Sequence, residues 1–207
     1  SLFAERKIPF LQIDEAGRHS PHAVRRIEMR TETVGPALRD HCLACGVRSV
    51  VQVLQHQAVS LDLAPLISAA DVTVDTLRVA PLPGLNSPES VERAALLAIE
   101  RWLDGQPKLP DLFWFGDDFV ARGALLALTT RGIRVPADVQ VISWANKGLG
   151  PVYLKPLTRV EMDPQAHGTV VAQCILEQLA GRAGGAAAVT LAPAFIVGET
   201  TRVVRPG

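Results

Sequence analysis

Four residues that follow two apolar runs of the chain are the strongest candidates for binding chemistry. Asp117 and Asp118 come directly after the first run, and Trp144 and Asn146 close the second. A carboxylate only accepts hydrogen bonds, whereas an amide both donates and accepts them. An indole ring adds a large apolar face with one donor. This set suits non-covalent binding of a small polar molecule that is rich in hydroxyl or amine donors.

The stretch from Asp111 to Asn146 contains the elements that must position these residues. Its two apolar runs predict strands, and apolar residues at helical spacing predict a helix between them. Val135-Pro136 blocks continuation of that helix. A right-handed crossover makes the two strands parallel, so their carboxyl ends share one edge of the sheet. In open α/β sheets this edge is where ligands bind.

Each candidate also has a purely structural interpretation. Asp117 or Asp118 can be the N-cap of the predicted helix, and one carboxylate can cap while its neighbour faces a cleft. Trp144 can be a packed core aromatic rather than a stacking surface. Paired-carboxylate catalysis is a further alternative, but adjacent residues at a helix start rarely point at one reacting atom. Because no nucleophile-elbow, phosphate-loop, dinucleotide or zinc-protease motif occurs, we predict no catalytic residue and no cofactor.

The cysteines include a C-x-x-C pair, Cys42 and Cys45. A zinc site needs about four ligands, and no second Cys or His pair stands at suitable spacing. A redox pair would sit at the start of a helix, where the dipole lowers the thiol pKa, whereas this pair sits at the predicted end. We therefore predict buried structural cysteines, Cys174 included, and no metal site. An odd count of three in a long chain fits a reducing cytosol.

Composition excludes several classes of protein. The chain has 207 residues, of which 48% are hydrophobic, and its 21 basic and 21 acidic residues give a formal net charge of zero. An extended nucleic-acid groove needs clustered positive charge, so the chain alone should not bind DNA specifically. No apolar run approaches the roughly 20 residues of a membrane span, and no leader opens the chain. We expect a cytoplasmic protein without a membrane partner.

The rest of the chain alternates predicted strands and helices, which favours parallel sheets covered on both faces by helices, an α/β fold. The predicted strands lie near residues 10–13, 24–29, 48–54, 73–80 and 195–197, and the predicted helices near 31–45, 61–70, 87–104 and 164–179.

Several motifs resemble the effector-binding domain of the LacI/GalR family of bacterial transcription regulators. The resemblance is specific from Pro110 to the end, weak but in register from Leu2 to Val53, and nearly absent from residue 56 to 86. The motifs that carry it are Gly116-Asp117-Asp118, Gly123-Ala124-Leu125, Gly132-Ile133-Arg134-Val135-Pro136-Ala137-Asp138-Val139, Ser143-Trp144-Ala145-Asn146, Pro156-Leu157-Thr158-Arg159-Val160 and Gly198-Glu199-Thr200-Thr201.

The resemblance implies a periplasmic-binding-protein-like fold of type I, with two α/β subdomains, a ligand cleft and no catalysis. It implies an incomplete N-terminal subdomain made of residues 1–28 and 159–190, and a C-terminal subdomain made of residues 29–158 and 191–207. It also implies a homodimer in which effector binding closes a hinge and modulates DNA binding by a separate head that is absent from this chain.

The resemblance places Asp117, Asp118, Trp144 and Asn146 in the effector pocket. Asp117 stands where the family has asparagine, and Ala145 stands where it has an aspartate that often accepts from a sugar hydroxyl. The effector is therefore expected to be a sugar or sugar derivative that differs from the family's common hexoses and pentoses. A transport-type periplasmic sugar-binding protein is the alternative function, because it shares the fold.

The resemblance also implies that strands of the first subdomain are missing next to the helix predicted at 164–179. Val171, Ile175 and Leu179 would then lack part of the sheet that they should cover. An apolar stripe of this kind seeks a partner. We therefore expect a fragment of a longer chain. If it were free, it would self-associate through the remnant segments of the first subdomain and bind effector weakly, because half of the cleft would be missing.

Overall fold

The computed structural model describes residues 10–14, 23–29, 33–55, 67, 72–80, 87–180 and 189–202. The helix predicted near 61–70 lies outside these residues except for residue 67. The elements, in chain order, are β1 (Phe10–Asp14), β2 (Ala23–Met29), α1 (Gly35–Ala44), β3 (Ser49–Gln55), β4 (Thr73–Val79), α2 (Pro88–Gly105), β5 (Leu112–Phe115), α3 (Asp118–Thr130), β6 (Gln140–Asn146), β7 (Thr158–Met162), α4 (Pro164–Leu179), β8 (Val189–Leu191) and β9 (Ala194–Ile196).

Contacts divide the chain into two compact units. One comprises residues 1–33 and 163–193, and the other comprises residues 34–162 and 194–207. The described part of the first unit contains α4 and a parallel three-stranded sheet in the order β1-β2-β8. The resemblance predicts that the chain passes from one subdomain to the other at residues 28, 158 and 190. These three positions stay predictions.

The second unit contains a six-stranded sheet in the order β4-β3-β5-β6-β7-β9. Its first five strands are mutually parallel, and β9 runs antiparallel to β7 at the edge. The predicted α/β fold is confirmed, with β9 as the one departure from parallel pairing among the described strands. After β3 the chain adds β4 on one side and then β5 on the other, which creates a switch point at the carboxyl edge of the sheet.

The helices of the second unit cover both faces of this sheet. One core cluster packs α2 and α3 against one face through residues such as Ile99, Phe113 and Leu128. The other packs α1 against the opposite face through Leu38 and Trp114. Strand β5 is buried along its whole length, which explains why its residues are continuously apolar rather than alternating.

Local sequence signals set the helix bounds much as predicted. Ser87 caps α2 by accepting a hydrogen bond from the Ser90 backbone N–H, with proline in the first turn. Helix α1 begins at Gly35, later than the predicted start near residue 31, so its proline lies in the first turn. Gly132 adopts a φ of 68° just after α3, a left-handed conformation that glycine tolerates at a helix end.

Helix α4 carries exposed aliphatic side chains. Ile175, Leu176 and Leu179 are exposed, whereas Val171 is half-buried and Cys174 is buried. The predicted stripe is thus uncovered at two of its three positions. Which segment or partner covers it stays a prediction. None of the described helices is long and apolar enough to cross a membrane.

Candidate functional site

The carboxyl edge of the six-stranded sheet carries all four residues singled out in the sequence. Strands β5 and β6 are neighbours, with Phe115 opposite Ser143. Asp117 and Asp118 follow β5 directly, and Trp144 and Asn146 lie in the last three residues of β6. The two apolar runs therefore place their terminal polar residues side by side, as parallel pairing requires.

Asp117 is the N-cap of α3. Its Oδ1 accepts hydrogen bonds from the backbone N–H groups of Phe119 at 2.7 Å and Val120 at 3.0 Å. The capping interpretation is therefore correct for this residue, and it fixes the orientation of the carboxylate. The second oxygen, Oδ2, accepts no hydrogen bond from the described residues, so Asp117 can cap the helix and still bind a donor.

Asp118 is buried, with 7% of its surface exposed. Burial raises the pKa of its carboxyl group, and the neighbouring charge of Asp117 raises it further. Backbone N–H groups at the helix start and the guanidinium of Arg122 offset part of this effect. Among the described residues its carboxylate has no side-chain hydrogen-bond partner. A desolvated acceptor of this kind forms strong hydrogen bonds with a ligand that donates to it.

Trp144 and Asn146 occupy alternate positions on the α1 face of β6. Trp144 is half-buried and packs against the core cluster under α1, so it has a packing role whether or not it also stacks on a ligand. Asn146 is half-buried, and its backbone carbonyl accepts a hydrogen bond from Leu149 at 3.0 Å. Between them, Ala145 is fully buried and offers no polar group where the resemblance expects an aspartate.

Sequence reasoning missed Arg122, which links α3 to the loop after β6. Its guanidinium carbon lies 5.3 Å from the centre of the Phe119 ring, and its Nη2 donates to the Leu149 carbonyl at 3.2 Å. Its Nε is buried and has no hydrogen-bond partner among the described residues. The sequence feature that could have identified Arg122 is its spacing, because it stands one helical turn after Asp118.

The C-x-x-C pair lies at the opposite end of the sheet and is structural. Cys42 is buried, and its pKa is raised to about 12 by burial and by the neighbouring Cys45. The Cys45 thiol donates to the Arg202 carbonyl at 3.0 Å, and His41 Nε2 lies 2.8 Å from the Thr201 hydroxyl. These contacts fasten residues 201–202 to α1. The described residues contain no group of three or more His, Cys, Asp or Glu side chains that could hold a metal ion.

Thiol reactivity tests this assignment. Because all three cysteines are buried and the thiolate is the reactive form, we expect Ellman's reagent to label none of them quickly in native protein at pH 8. Adding guanidinium chloride should release three reactive thiols, the number in the sequence. Rapid labelling of one thiol under native conditions would contradict a purely structural role, and the same reaction in Cys42→Ser and Cys45→Ser variants would identify it.

Comparison with known proteins identifies the family to which this fold belongs. The family described as periplasmic binding protein-like domain matches residues 40–201, more than three quarters of the chain. The chain belongs to the periplasmic binding protein-like domain family. This assignment confirms the predicted fold and the resemblance to effector-binding domains.

Proteins similar to this family member are transcription regulators. The chain is 26% identical over 102 residues to the transcriptional repressor PurR of Haemophilus influenzae, an alignment that spans 48% of this chain and 30% of PurR. It shares its fold with a LacI family regulator from an Arthrobacter species in complex with lactose, at 18% identity and a TM-score of 0.76, covering 97% of this chain and 76% of the other.

A second solved structure of a regulator also shares the fold of this chain. A LacI family regulator from Enterococcus faecalis with bound ribose has 18% identity and a TM-score of 0.73, covering 96% of this chain and 70% of the other. These relatives are regulators rather than enzymes, in agreement with the prediction of a non-catalytic domain.

Proposed function

We propose that this periplasmic binding protein-like domain senses a small polar effector, a sugar or sugar derivative, for a bacterial transcription regulator. The observation that carries the proposal is Asp118, a buried carboxylate without a side-chain partner among the described residues, next to the half-buried Asp117. Both stand at the carboxyl edge, where ligands of open α/β sheets bind. The sugar-bound structures of similar regulators support this choice of effector.

The edge favours an effector that donates hydrogen bonds. Oδ2 of Asp117 and the carboxylate of Asp118 are acceptors, and Asn146 adds an amide that can donate as well. Trp144 would contribute the face of its ring, on which an apolar face of a sugar can stack. With Ala145 buried between these residues, the effector would depend on Asp117 and Asp118 for contacts that an aspartate at position 145 would otherwise provide.

Binding would act by shifting a conformational equilibrium. An effector that binds the closed state more tightly than the open state shifts the open–closed equilibrium constant, at saturation, by the ratio of the two affinities. In a cytoplasmic homodimer this closure would alter how a separate DNA-binding head meets its operator. The chain itself carries zero formal net charge, so DNA affinity would come from the head.

The test is a ligand screen followed by substitution of Asp118. Thermal-shift screening of mono- and disaccharides, lactose and ribose included, should yield a ligand whose affinity is then measured by calorimetry. Asp118→Ala should weaken binding by about tenfold or more, because a hydrogen bond to a charged group contributes roughly 1.5–3 kcal/mol.

Asp104→Ala provides a matched control. Asp104 is an exposed carboxylate that pairs with Arg131 at 2.7 Å, away from the sheet edge. Its removal takes away one negative charge and should leave the affinity unchanged. If Asp118→Ala binds as tightly as the parent, Asp118 is not part of the site. If no sugar or sugar derivative binds the parent chain, the proposed effector class is wrong.

A further inference from the structure

Asp117 presents one carboxylate oxygen whose position is set by the fold. Its Oδ1 accepts hydrogen bonds from the backbone N–H groups of both Phe119 and Val120, at 2.7 Å and 3.0 Å. These two bonds hold the carboxylate at the start of α3 and leave Oδ2 without a hydrogen bond from the described residues. Oδ2 is therefore the atom of Asp117 that remains for a ligand at this edge of the sheet.

The chemistry of this oxygen differs from that of the isosteric side chain. An asparagine at position 117 would cap α3 with its carbonyl oxygen in the same way, since asparagine and aspartate are about equally good N-caps. Its second polar atom would then be an NH₂ group, which donates. Aspartate places a charged acceptor there instead. The residue type at position 117 thus decides whether a ligand must accept or donate a hydrogen bond at this point.

The adjacent carboxylate makes the negative potential at this edge stronger. Asp118 is buried, and the charge of Asp117 raises the pKa of its carboxyl group beyond the effect of burial alone. A neutral ligand that covered both carboxylates would remove water from them without supplying a counter-charge. Because a charge taken out of water is costly unless it is paired, a ligand with a positive charge has the advantage.

The cation of α3 does not neutralise Asp117. Arg122 offsets part of the rise in the pKa of Asp118. Its guanidinium also has other contacts, because Nη2 donates to the Leu149 carbonyl at 3.2 Å and the group lies 5.3 Å from the centre of the Phe119 ring. Among the described residues, no lysine or arginine forms an ion pair with Asp117.

We propose that the effector carries a protonated amine that donates to Oδ2 of Asp117, so that it is an amino sugar rather than a neutral sugar. An ammonium group donates hydrogen bonds and accepts none, which matches a pair of carboxylates that only accept. Hydrogen bonds between charged groups are also roughly twice as strong as those between neutral groups. This inference rests on the proposed sensor function and narrows its effector class.

The experiment compares each amino sugar with the neutral sugar of the same shape. The amino-deoxy derivatives of glucose and galactose carry the amine at each hydroxyl-bearing carbon in turn, and each differs from its neutral sugar by one group. Calorimetry at about pH 6.5, where such amines are protonated, measures both series. We expect at least one amino sugar to bind the chain about tenfold or more tightly than its neutral counterpart.

The variant Asp117→Asn tests the assigned oxygen. It keeps the cap, so the melting temperature should stay close to that of the unsubstituted chain, but it replaces the charged acceptor by a donor. The amino sugar should lose about tenfold or more in affinity, whereas the neutral sugar should bind at least as tightly as before. Asp104→Asn is the matched control, because the same change in an exposed ion pair with Arg131 should leave both affinities within a few-fold.

Three results would overturn the inference. If a neutral sugar binds the unsubstituted chain as tightly as its amino derivatives do, the amine is not recognised, although the sugar-sensing function stands. If Asp117→Asn keeps the preference for an amino sugar, the ammonium group does not bind to Oδ2. If neither series binds, the proposed effector class is wrong as well. Binding of a neutral sugar therefore distinguishes failure of this inference from failure of the sensor function.

Discussion

Replacing Gly123 by alanine should lower the free energy of unfolding by about 3 kcal/mol. Gly123 lies inside α3 where this helix crosses α2, and a Cβ at position 123 would overlap the backbone carbonyl of Glu92 and approach the Leu96 amide. Backbone atoms in a packed helix cannot move aside as a flexible side chain can. The two helices would have to separate, which loosens the core cluster that they share.

The higher helix propensity of alanine offsets part of this loss of stability, but its contribution is smaller. Alanine is favoured over glycine in a helix interior by about 1 kcal/mol, so the net effect is destabilising only because of the overlap. Gly105→Ala is the matched control, since Gly105 ends α2 with open space around it and should change stability by less than about 1 kcal/mol.

Urea denaturation followed by circular dichroism measures both variants. The expected result is a lower midpoint for Gly123→Ala and an unchanged or slightly higher midpoint for Gly105→Ala. Equal stability of the parent and Gly123→Ala would show that α2 and α3 can separate at little cost, and the close crossing would then not be a constraint on the sequence.

Replacing Asp111 by alanine should also lower the free energy of unfolding, by about 3 kcal/mol. One carboxylate oxygen of Asp111 accepts hydrogen bonds from the backbone N–H groups of Arg48 and Ser49, each at 2.9 Å, and from the Ser49 hydroxyl at 3.1 Å. These bonds join the starts of β3 and β5. Hydrogen bonds to charged groups contribute roughly 1.5–3 kcal/mol each, and water replaces part of that at this half-buried site.

The contribution of Asp111 should depend on pH. Burial raises the pKa of its carboxyl group, but the three hydrogen bonds and the charge of Lys108 together lower it below the ordinary value. A carboxyl group whose folded pKa is lowered stabilises the protein above its unfolded pKa, about 3.9 for aspartate. That stability is lost as the pH falls through the lower, folded pKa.

The stability difference between the parent and Asp111→Ala should therefore be full at pH 7 and shrink below about pH 4. Asp104→Ala is again the control, because its exposed ion pair should contribute less than about 1 kcal/mol. A difference that stays constant down to about pH 2.5, well below the unfolded pKa, would mean that the charge of Asp111 does not matter, and that shape or backbone effects explain the loss.

The sequence by itself determined the elements around the candidate site. Continuous apolar residues from 112 to 115, an aspartate before a helical pattern, and a Gly-x-x-Val-Pro turn each have a local cause, and the structure contains β5, α3 and β6 where these signals occur. Parallel pairing then follows from the right-handed crossover. For this reason local patterns and chain connectivity are enough to place Asp117, Asp118, Trp144 and Asn146 at one sheet edge.

Only the tertiary structure decided what each of these residues does there. Periodicity could not tell Asp117 from Asp118, because the choice depends on which carboxylate meets the helix N–H groups and which is covered by neighbouring segments. The exposure of Val152 and Leu154 could not be predicted either, since it depends on the burial of Pro151 and on Tyr153, which packs against a core built from distant parts of the chain. The antiparallel pairing of β9 with β7 likewise joins residues that are far apart in sequence, and local patterns carry no information about such long-range contacts.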